Sequence, residues 1–269
     1  MALSHLIIGA GNMGGALLSG WLKAKLITPR NLAILDPTPG TEAVFAIERG
    51  ARHLTSPEDI PKSVDIVLLA VKPQSLSSTA RDVSANLPPG TLLISIIAGV
   101  SLARLQALFP SARIIRAMPN TPASIGRGVS AYVASTDLDE DMIERAEALL
   151  KVCGTVVRVD SDEKINAVTA ISGSGPAYLF YLAETLEAAG RSLGLDADTS
   201  AILAQETIIG ASALMDASER SPSELRTAVT SPGGTTQAAL DVLMSENGLG
   251  PLMRQTTRAA MDRSRDLSG

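Results

Sequence analysis

The sequence predicts an α/β fold: a doubly wound, mostly parallel sheet domain over residues 1–160, followed by an all-helical domain over residues 161–269. Three observations carry this. Short β-branched runs alternate with amphipathic stretches through the first half; a glycine-rich turn, Gly9-Ala10-Gly11-Asn12-Met13-Gly14, joins the first run to the first helical pattern; and after about Asp160 the β-branched runs give way to long Ala/Leu/Glu segments. Strands alternating with helices imply right-handed crossovers and a parallel sheet.

In order, the predicted strands are Leu6–Gly9, Leu32–Asp36, Ile66–Val71, Leu92–Ile97, Ile114–Met118, Val129–Ala134 and Thr155–Val159. Runs such as Ile66-Val67-Leu68-Leu69-Ala70-Val71 lack alternation, as expected of strands covered by helices on both faces. Between them, helical spacing spans Gly14–Leu26, Thr41–Arg49 and Leu102–Phe109, and the acidic run Asp137–Asp141 reads as a helix beginning, where negative side chains complement the dipole. In the second half the predicted helices are Glu163–Ala170, Pro176–Leu193, Ala197–Ala217, Ser223–Val229, Thr236–Glu246 and Pro251–Asp266. Their punctuation supports the boundaries: Gly194 stops one helix, Asp196 caps the next, and Ser221-Pro222 opens another.

Composition excludes several function classes. Of the 269 residues 45% are hydrophobic, yet no apolar run approaches the roughly 20 residues of a membrane helix. The start, Met1-Ala2-Leu3-Ser4-His5-Leu6, lacks the basic flank and long apolar stretch of a signal peptide, so a cytoplasmic location is expected. A net charge of −5 with no basic stripe argues against nucleic-acid binding. Cys153 is the only cysteine, and His5 and His53 have no ligand-spaced partner, so neither a disulfide nor a metal site is expected.

The fingerprint points to a dinucleotide. Gly9 provides the turn, Gly11 lets backbone approach a pyrophosphate, and Gly14 brings helix close to strand, with Ile8, Ala10, Asn12 and Met13 completing the cofactor-facing segment. Asp36 follows Gly14 by 22 residues, where an acidic side chain bonds the adenosine ribose of NAD; the competing reading is a turn cap before Pro37. With no Arg or Lys between Asp36 and Gly40, NADH is expected to serve at least as well as NADPH. Ala70-Val71-Lys72-Pro73 and Ala98-Gly99 end two later strands at the carboxyl edge, where such folds hold ligands, and Asn120 lies in the proline-stiffened loop after the next strand. Asn120 either orients the nicotinamide or substrate, or satisfies its own turn. Small residues in Ser172-Gly173-Ser174-Gly175-Pro176 permit close approach by the cofactor or by another segment, so Ser174 and Gly175 join the candidates.

Near the C-terminus, Thr230-Ser231-Pro232-Gly233-Gly234-Thr235-Thr236 opens onto a helical pattern. A tight turn feeding a helix whose first N–H groups lack partners reads as an anion site that a carboxylate would fit, with Thr235 or Thr236 as the cap; the competing reading is simply a well-capped helix start.

Together these motifs resemble the pyrroline-5-carboxylate reductase family over nearly the whole chain. The resemblance rests on Ile8–Gly14, Ala70–Pro73, Ile115–Pro122, Ser172–Tyr178 and Val229–Thr236. It implies a Rossmann domain, a helical dimerisation domain, assembly as a homodimer or decamer, and reduction of 1-pyrroline-5-carboxylate to L-proline, the last step of proline biosynthesis, by NADPH or NADH. It also implies that Ser231, Gly233, Gly234, Thr235 and Thr236 hold the substrate carboxylate, that the Thr236 hydroxyl meets the ring nitrogen as the catalytic group, and that Glu219 lies near the substrate. Family members commonly carry a small polar residue where Asp36 stands, and many favour NADPH; this chain departs there. A β-hydroxyacid-type dehydrogenase needs a lysine base on the helical domain, and Lys164, the only lysine after Lys151, lacks the accompanying asparagine pattern. A non-catalytic NAD-binding protein has no use for the Pro-Gly-Gly-Thr-Thr loop.

Overall fold

A computed structural model describes residues 4–268. The strands are β1 (His5–Ile8), β2 (Leu32–Leu35), β3 (Arg52–Leu54), β4 (Ile66–Leu69), β5 (Leu92–Ser95), β6 (Arg113–Met118), β7 (Gly128–Ala134) and β8 (Gly154–Arg158). Helices α1 (Asn12–Lys23), α2 (Thr41–Glu48), α3 (Leu76–Val83), α4 (Leu102–Leu108), α5 (Glu140–Lys151) and α6 (Asp162–Val168) accompany them. The chain then continues through α7 (Gly175–Ser192), α8 (Ala197–Asp216), α9 (Pro222–Ala228), α10 (Thr235–Leu243) and α11 (Leu249–Ser268).

The sheet has eight strands in the order β3-β2-β1-β4-β5-β6-β7-β8. From β3 to β6 all neighbours are parallel. Strand order reverses between β1 and β4, so the loops leaving their carboxyl ends diverge and open a crevice there. β7 is the exception in this mostly parallel sheet, running antiparallel to β6. Only a short connection with one 3₁₀ turn, Thr121–Ile125, joins β6 to β7, and a parallel crossover requires a longer segment, usually a helix. Two elements escape the sequence reading: β3 is three residues of mixed polarity, and α3 begins behind Pro73. The first, second, fourth and fifth strands also stop before Gly9, Asp36, Ala70 and Ile96, because the chain bends there into the ligand-side loops.

Alternation within apolar strands feeds a core on each face of the sheet. Ile7, Ile66 and Leu68 face α1, α2 and α5 in one cluster; Leu6, Ile8, Val67 and Leu69 face α3 and α4 in the other. Trp21 of α1, 1% exposed, donates from Nε1 to the Leu149 carbonyl at 2.8 Å and so ties α1 to α5.

By contacts the chain forms two units, one ending at Ser174 and rejoined by the chain from Ala260 onward, the other Gly175–Ala259. The contact division thus falls later than residue 160, and the last turns of α11 belong with the sheet. Ser264 there bonds Asn166 of α6 at 3.0 Å, and Arg265 pairs with Glu163. Within the helical unit α7 packs on α8, where Gly190 meets Ser200 closely enough that a Cβ would lie 3.0 Å from the Ser200 hydroxyl. Ser200 and Ala204 are its only buried residues, while Phe180, Tyr181, Ile202 and Val242 lie open.

Candidate active site

The fingerprint turn is shaped by contacts that only glycine allows. Gly9 has φ +86°, and a Cβ there would lie 2.8 Å from the Ala70 carbonyl group and the Val71 nitrogen. At Gly14 a Cβ would approach the Gly9 oxygen to 2.4 Å. Gly11 differs, since nothing lies within 4 Å of its would-be Cβ. It caps α1 without any side-chain oxygen, leaving the first-turn amides to a ligand. A cleft of about 380 Å³ opens beside it, lined by Gly11, Asn12, Gly40, Thr41 and Ser124 among others. These features fit a diphosphate.

Asp36 is 8% exposed and takes two backbone amides. Its Oδ2 accepts from Ala10 N–H at 2.6 Å and its Oδ1 from Thr38 N–H at 2.8 Å. The turn-cap reading therefore holds, and each oxygen keeps a further lone pair for a ribose hydroxyl. His53 on β3 donates from Nε2 to the Asp36 carbonyl at 2.9 Å.

Along the same sheet edge, Lys72 and Ala98 are exposed at the ends of the β4 and β5 segments. Gly99 has φ +67°, and a Cβ there would lie 2.8 Å from Cβ of Leu267 on α11, so this glycine answers a packing demand that sequence reasoning missed. Asn120 is 8% exposed and bridges distant backbone rather than its own turn. Its Nδ2 donates to the Ser172 carbonyl at 3.1 Å, and its Oδ1 accepts from Val129 N–H at 2.9 Å. The Ser172 segment forms a π-helical turn, Thr169–Gly173, closed by Ser174 N–H on the Thr169 carbonyl at 2.8 Å. Such turns recur at functional sites. A Cβ at Gly173 would lie 2.9 Å from Cε of Met118. Asn120 and Met118 thus meet Ser172 and Gly173 at the carboxyl end of β6, and Gly175 opens α7.

In the helical unit, Ser231–Gly234 makes a turn closed by Gly234 N–H on the Ser231 carbonyl at 3.0 Å, with Gly233 at φ +70°. Pro232 and a left-handed Gly233 are the central pair of a type II turn. The helix behind it starts at Thr235, one residue earlier than predicted, and Gly234 is its cap with no side-chain bond. Thr235 and Thr236 lie in the first turn rather than capping it. Their hydroxyls are left for other partners, and the uncapped amides retain the character of an anion site. Glu219 is exposed in the bend before α9, and Ser231 follows that helix, so the two lie at opposite ends of a seven-residue helix.

Sequence reasoning also missed Arg116. It is 2% exposed in the middle of β6 and pairs with Asp162, which accepts Leu102 N–H at 2.8 Å as well. A charged residue inside an apolar strand signals a buried partner. Lys164, the one lysine a β-hydroxyacid mechanism would require, is ion-paired with Asp160 at 2.6 Å on the surface.

Residues 162–267 match the family model for pyrroline-5-carboxylate reductase dimerisation, and residues 6–99 match that for NADP oxidoreductase, coenzyme F420-dependent. The chain is 37% identical to a pyrroline-5-carboxylate reductase of Pseudomonas aeruginosa over 262 residues, 97% of this chain and 95% of that one. Its fold superposes on that of a pyrroline-5-carboxylate reductase from Coxiella burnetii with a TM-score of 0.90 at 32% identity, covering 100% of both chains. It also superposes on the Plasmodium falciparum enzyme, solved with NADP bound, with a TM-score of 0.83 at 27% identity over 99% of this chain and 98% of that one. With near-complete relatives above 30% identity and a fingerprint and loop shaped as described, the chain belongs to the pyrroline-5-carboxylate reductase family.

Proposed function

We propose that this protein reduces 1-pyrroline-5-carboxylate to L-proline. The observation that carries the substrate half is the Ser231–Gly234 turn feeding a helix whose cap has no side-chain bond. That arrangement gives an anion converging backbone donors, and the turn matches the resemblance signature that ends at Thr236. A bound reduced nicotinamide dinucleotide supplies the hydride, and the imine nitrogen takes a proton as its double bond to carbon becomes single. Ser231, Gly233, Gly234 and Thr235 hold the carboxylate in this reading, and Glu219 borders the substrate. The Thr236 hydroxyl hydrogen-bonds the ring nitrogen and favours its protonated form, the better hydride acceptor. Because no histidine or carboxylate in these motifs is an obvious general acid, the proton comes with the imine or from solvent. The chain's main contribution is orientation, which turns a bimolecular encounter into a near-attack arrangement.

For the cofactor, the fingerprint amides hold the diphosphate, with Lys72 at an outer oxygen and Asn120, Ser174 and Gly175 on the nicotinamide side. Both NADH and NADPH serve. The Plasmodium relative was solved with NADP, whereas Asp36 and the absence of a cation between it and Gly40 support NADH here. The open apolar faces of α7 and α8 support a homodimer through the helical unit, with dimers assembling further up to a decamer.

Comparison of 1-pyrroline-5-carboxylate with 1-pyrroline, which lacks the carboxylate, tests the loop. Losing charge-assisted bonds of about 1.5–3 kcal/mol each lowers kcat/KM for 1-pyrroline at least ~10-fold. Equal efficiency would remove the loop from substrate binding.

A further inference from the structure

Asp36 follows β2 at the place where an acidic side chain reads ribose hydroxyls, and each of its carboxylate oxygens also takes a backbone amide. One oxygen takes the Ala10 amide of the fingerprint turn, the other the Thr38 amide of the β2–α2 turn, at 2.6 and 2.8 Å. The same two turns are stitched by backbone: Gly40 N–H donates to the Ala10 carbonyl at 3.2 Å, and Gly9 N–H donates to the Leu35 carbonyl at 3.1 Å. Their approach is close enough that a Cβ on Gly40 would lie 2.8 Å from the Ala10 oxygen. The Ala10 amide therefore points at Asp36 rather than toward a ligand, and the donors left for a diphosphate are those from Gly11 onward.

We propose that Asp36 is a positioning residue: by bonding the Ala10 amide it holds the fingerprint turn in the shape that presents Gly11 and the first turn of α1 to a phosphate, and so serves NADH and NADPH alike. The proposal rests on the dinucleotide reading above. A charge-assisted bond from a buried carboxylate to a backbone amide is among the stronger single restraints available to a loop. It acts on the phosphate end of the cofactor, which both dinucleotides share. A ribose reader would act only on the adenosine end, where they differ.

Asp36→Asn keeps the size of the side chain but replaces one acceptor oxygen with an amide group that faces a backbone N–H. The probe that separates the two roles is reduced nicotinamide mononucleotide, which carries a phosphate but no adenosine ribose, used as hydride donor beside NADH and NADPH. The positioning role predicts that kcat/KM falls about 10-fold for all three donors, through KM with kcat little changed, as one charge-assisted bond is lost. Gly40→Ala, which forces the turns apart while leaving the Asp36 carboxylate in place, gives the same pattern. Unchanged efficiency with the mononucleotide, together with loss of NADH and gain of NADPH, would overturn the proposal.

Hydrogen exchange on the wild-type protein adds a reading that needs no variant. The Ala10 amide should exchange as slowly as those of β1, and exchange at the rate of an open turn would count against the clamp. If the wild-type protein fails to oxidise NADH with 1-pyrroline-5-carboxylate, the functional reading fails instead.

Discussion

Arg116 in β6 and Asp162 in the first turn of α6 form an ion pair across 46 residues of sequence, the Arg116 side chain 2% exposed and that of Asp162 31%. The second Asp162 oxygen accepts the Leu102 amide at the start of α4. One carboxylate thus joins the sheet to the openings of two helices. Asp162→Ala leaves a buried guanidinium without its partner, which costs about 3 kcal/mol. Denaturant unfolding should show that loss as a lower midpoint with an unchanged slope; a shift below about 0.5 kcal/mol, the size of an ordinary surface change, would show that the pair contributes little.

Gly9→Ala tests the fingerprint turn. The left-handed backbone costs an L-residue about 1–2 kcal/mol, and the new methyl meets the Ala70 and Val71 backbone at 2.8 Å, where no flexible side chain can yield. Titration of NADH by fluorescence should show affinity weakened at least ~10-fold, the factor equivalent to that strain. Retained affinity would mean that the turn tolerates the shift.

Much of this was legible in the residues, and the reasons differ by element. Gly9 and Gly14 are readable because each answers a local steric demand, and Gly11 because its place in the fingerprint leaves room for a ligand. The Ser231–Gly234 turn is readable because Pro232-Gly233 suits one turn type. Other features depend on partners far along the chain. Gly99 reads as a cofactor contact, and the packing of Leu267 against it is not legible; Asn120 reads as a turn or cofactor amide, and its bridge between Ser172 and Val129 is not legible either. β3 has too few residues to show a period, and the reversed direction of β7 follows from the length of a loop whose prolines are readable but whose path is not.

Tyr132 gives a pH dependence with a definite sign. Its ring is fully buried and its hydroxyl donates to Glu147 at 2.7 Å; burial first, then this bond to a carboxylate, push its pKa well above the ordinary value. A raised folded-state pKa contributes stability that is complete below the unfolded value of about 10 and is lost as pH rises beyond it. Tyr132→Phe should therefore lower stability near neutral pH by about 1.5–3 kcal/mol and flatten the alkaline decline. Urea midpoints at neutral pH and above pH ~10 check this, since a decline of the same steepness in the variant would assign it to other groups.

On the partner carboxylate the sign reverses. Bonds from Lys151 and then Tyr132 hold Glu147 below its ordinary range, so its contribution is present above the unfolded value near 4.3 and is lost as pH falls through the folded one. Glu147→Gln should shrink the acid-side loss of stability, and an unchanged acid limb would exclude Glu147 as its source.

Thr236→Ala removes the hydroxyl assigned to the ring nitrogen while leaving the backbone of α10 intact. Loss of one transition-state hydrogen bond lowers kcat by about 10- to 100-fold, or about 1.5–3 kcal/mol. Steady-state kinetics with saturating cofactor decide it, and unchanged turnover would take Thr236 out of the mechanism.

Every catalytic role assigned above depends on the chain reducing a cyclic imine that bears a carboxylate. Incubation of the protein with 1-pyrroline-5-carboxylate and NADH, and separately with NADPH, followed by identification of the product, tests it most directly. The reduced-nicotinamide absorbance should fall, with one L-proline formed per cofactor oxidised. Neither proline nor cofactor oxidation with either dinucleotide would contradict it.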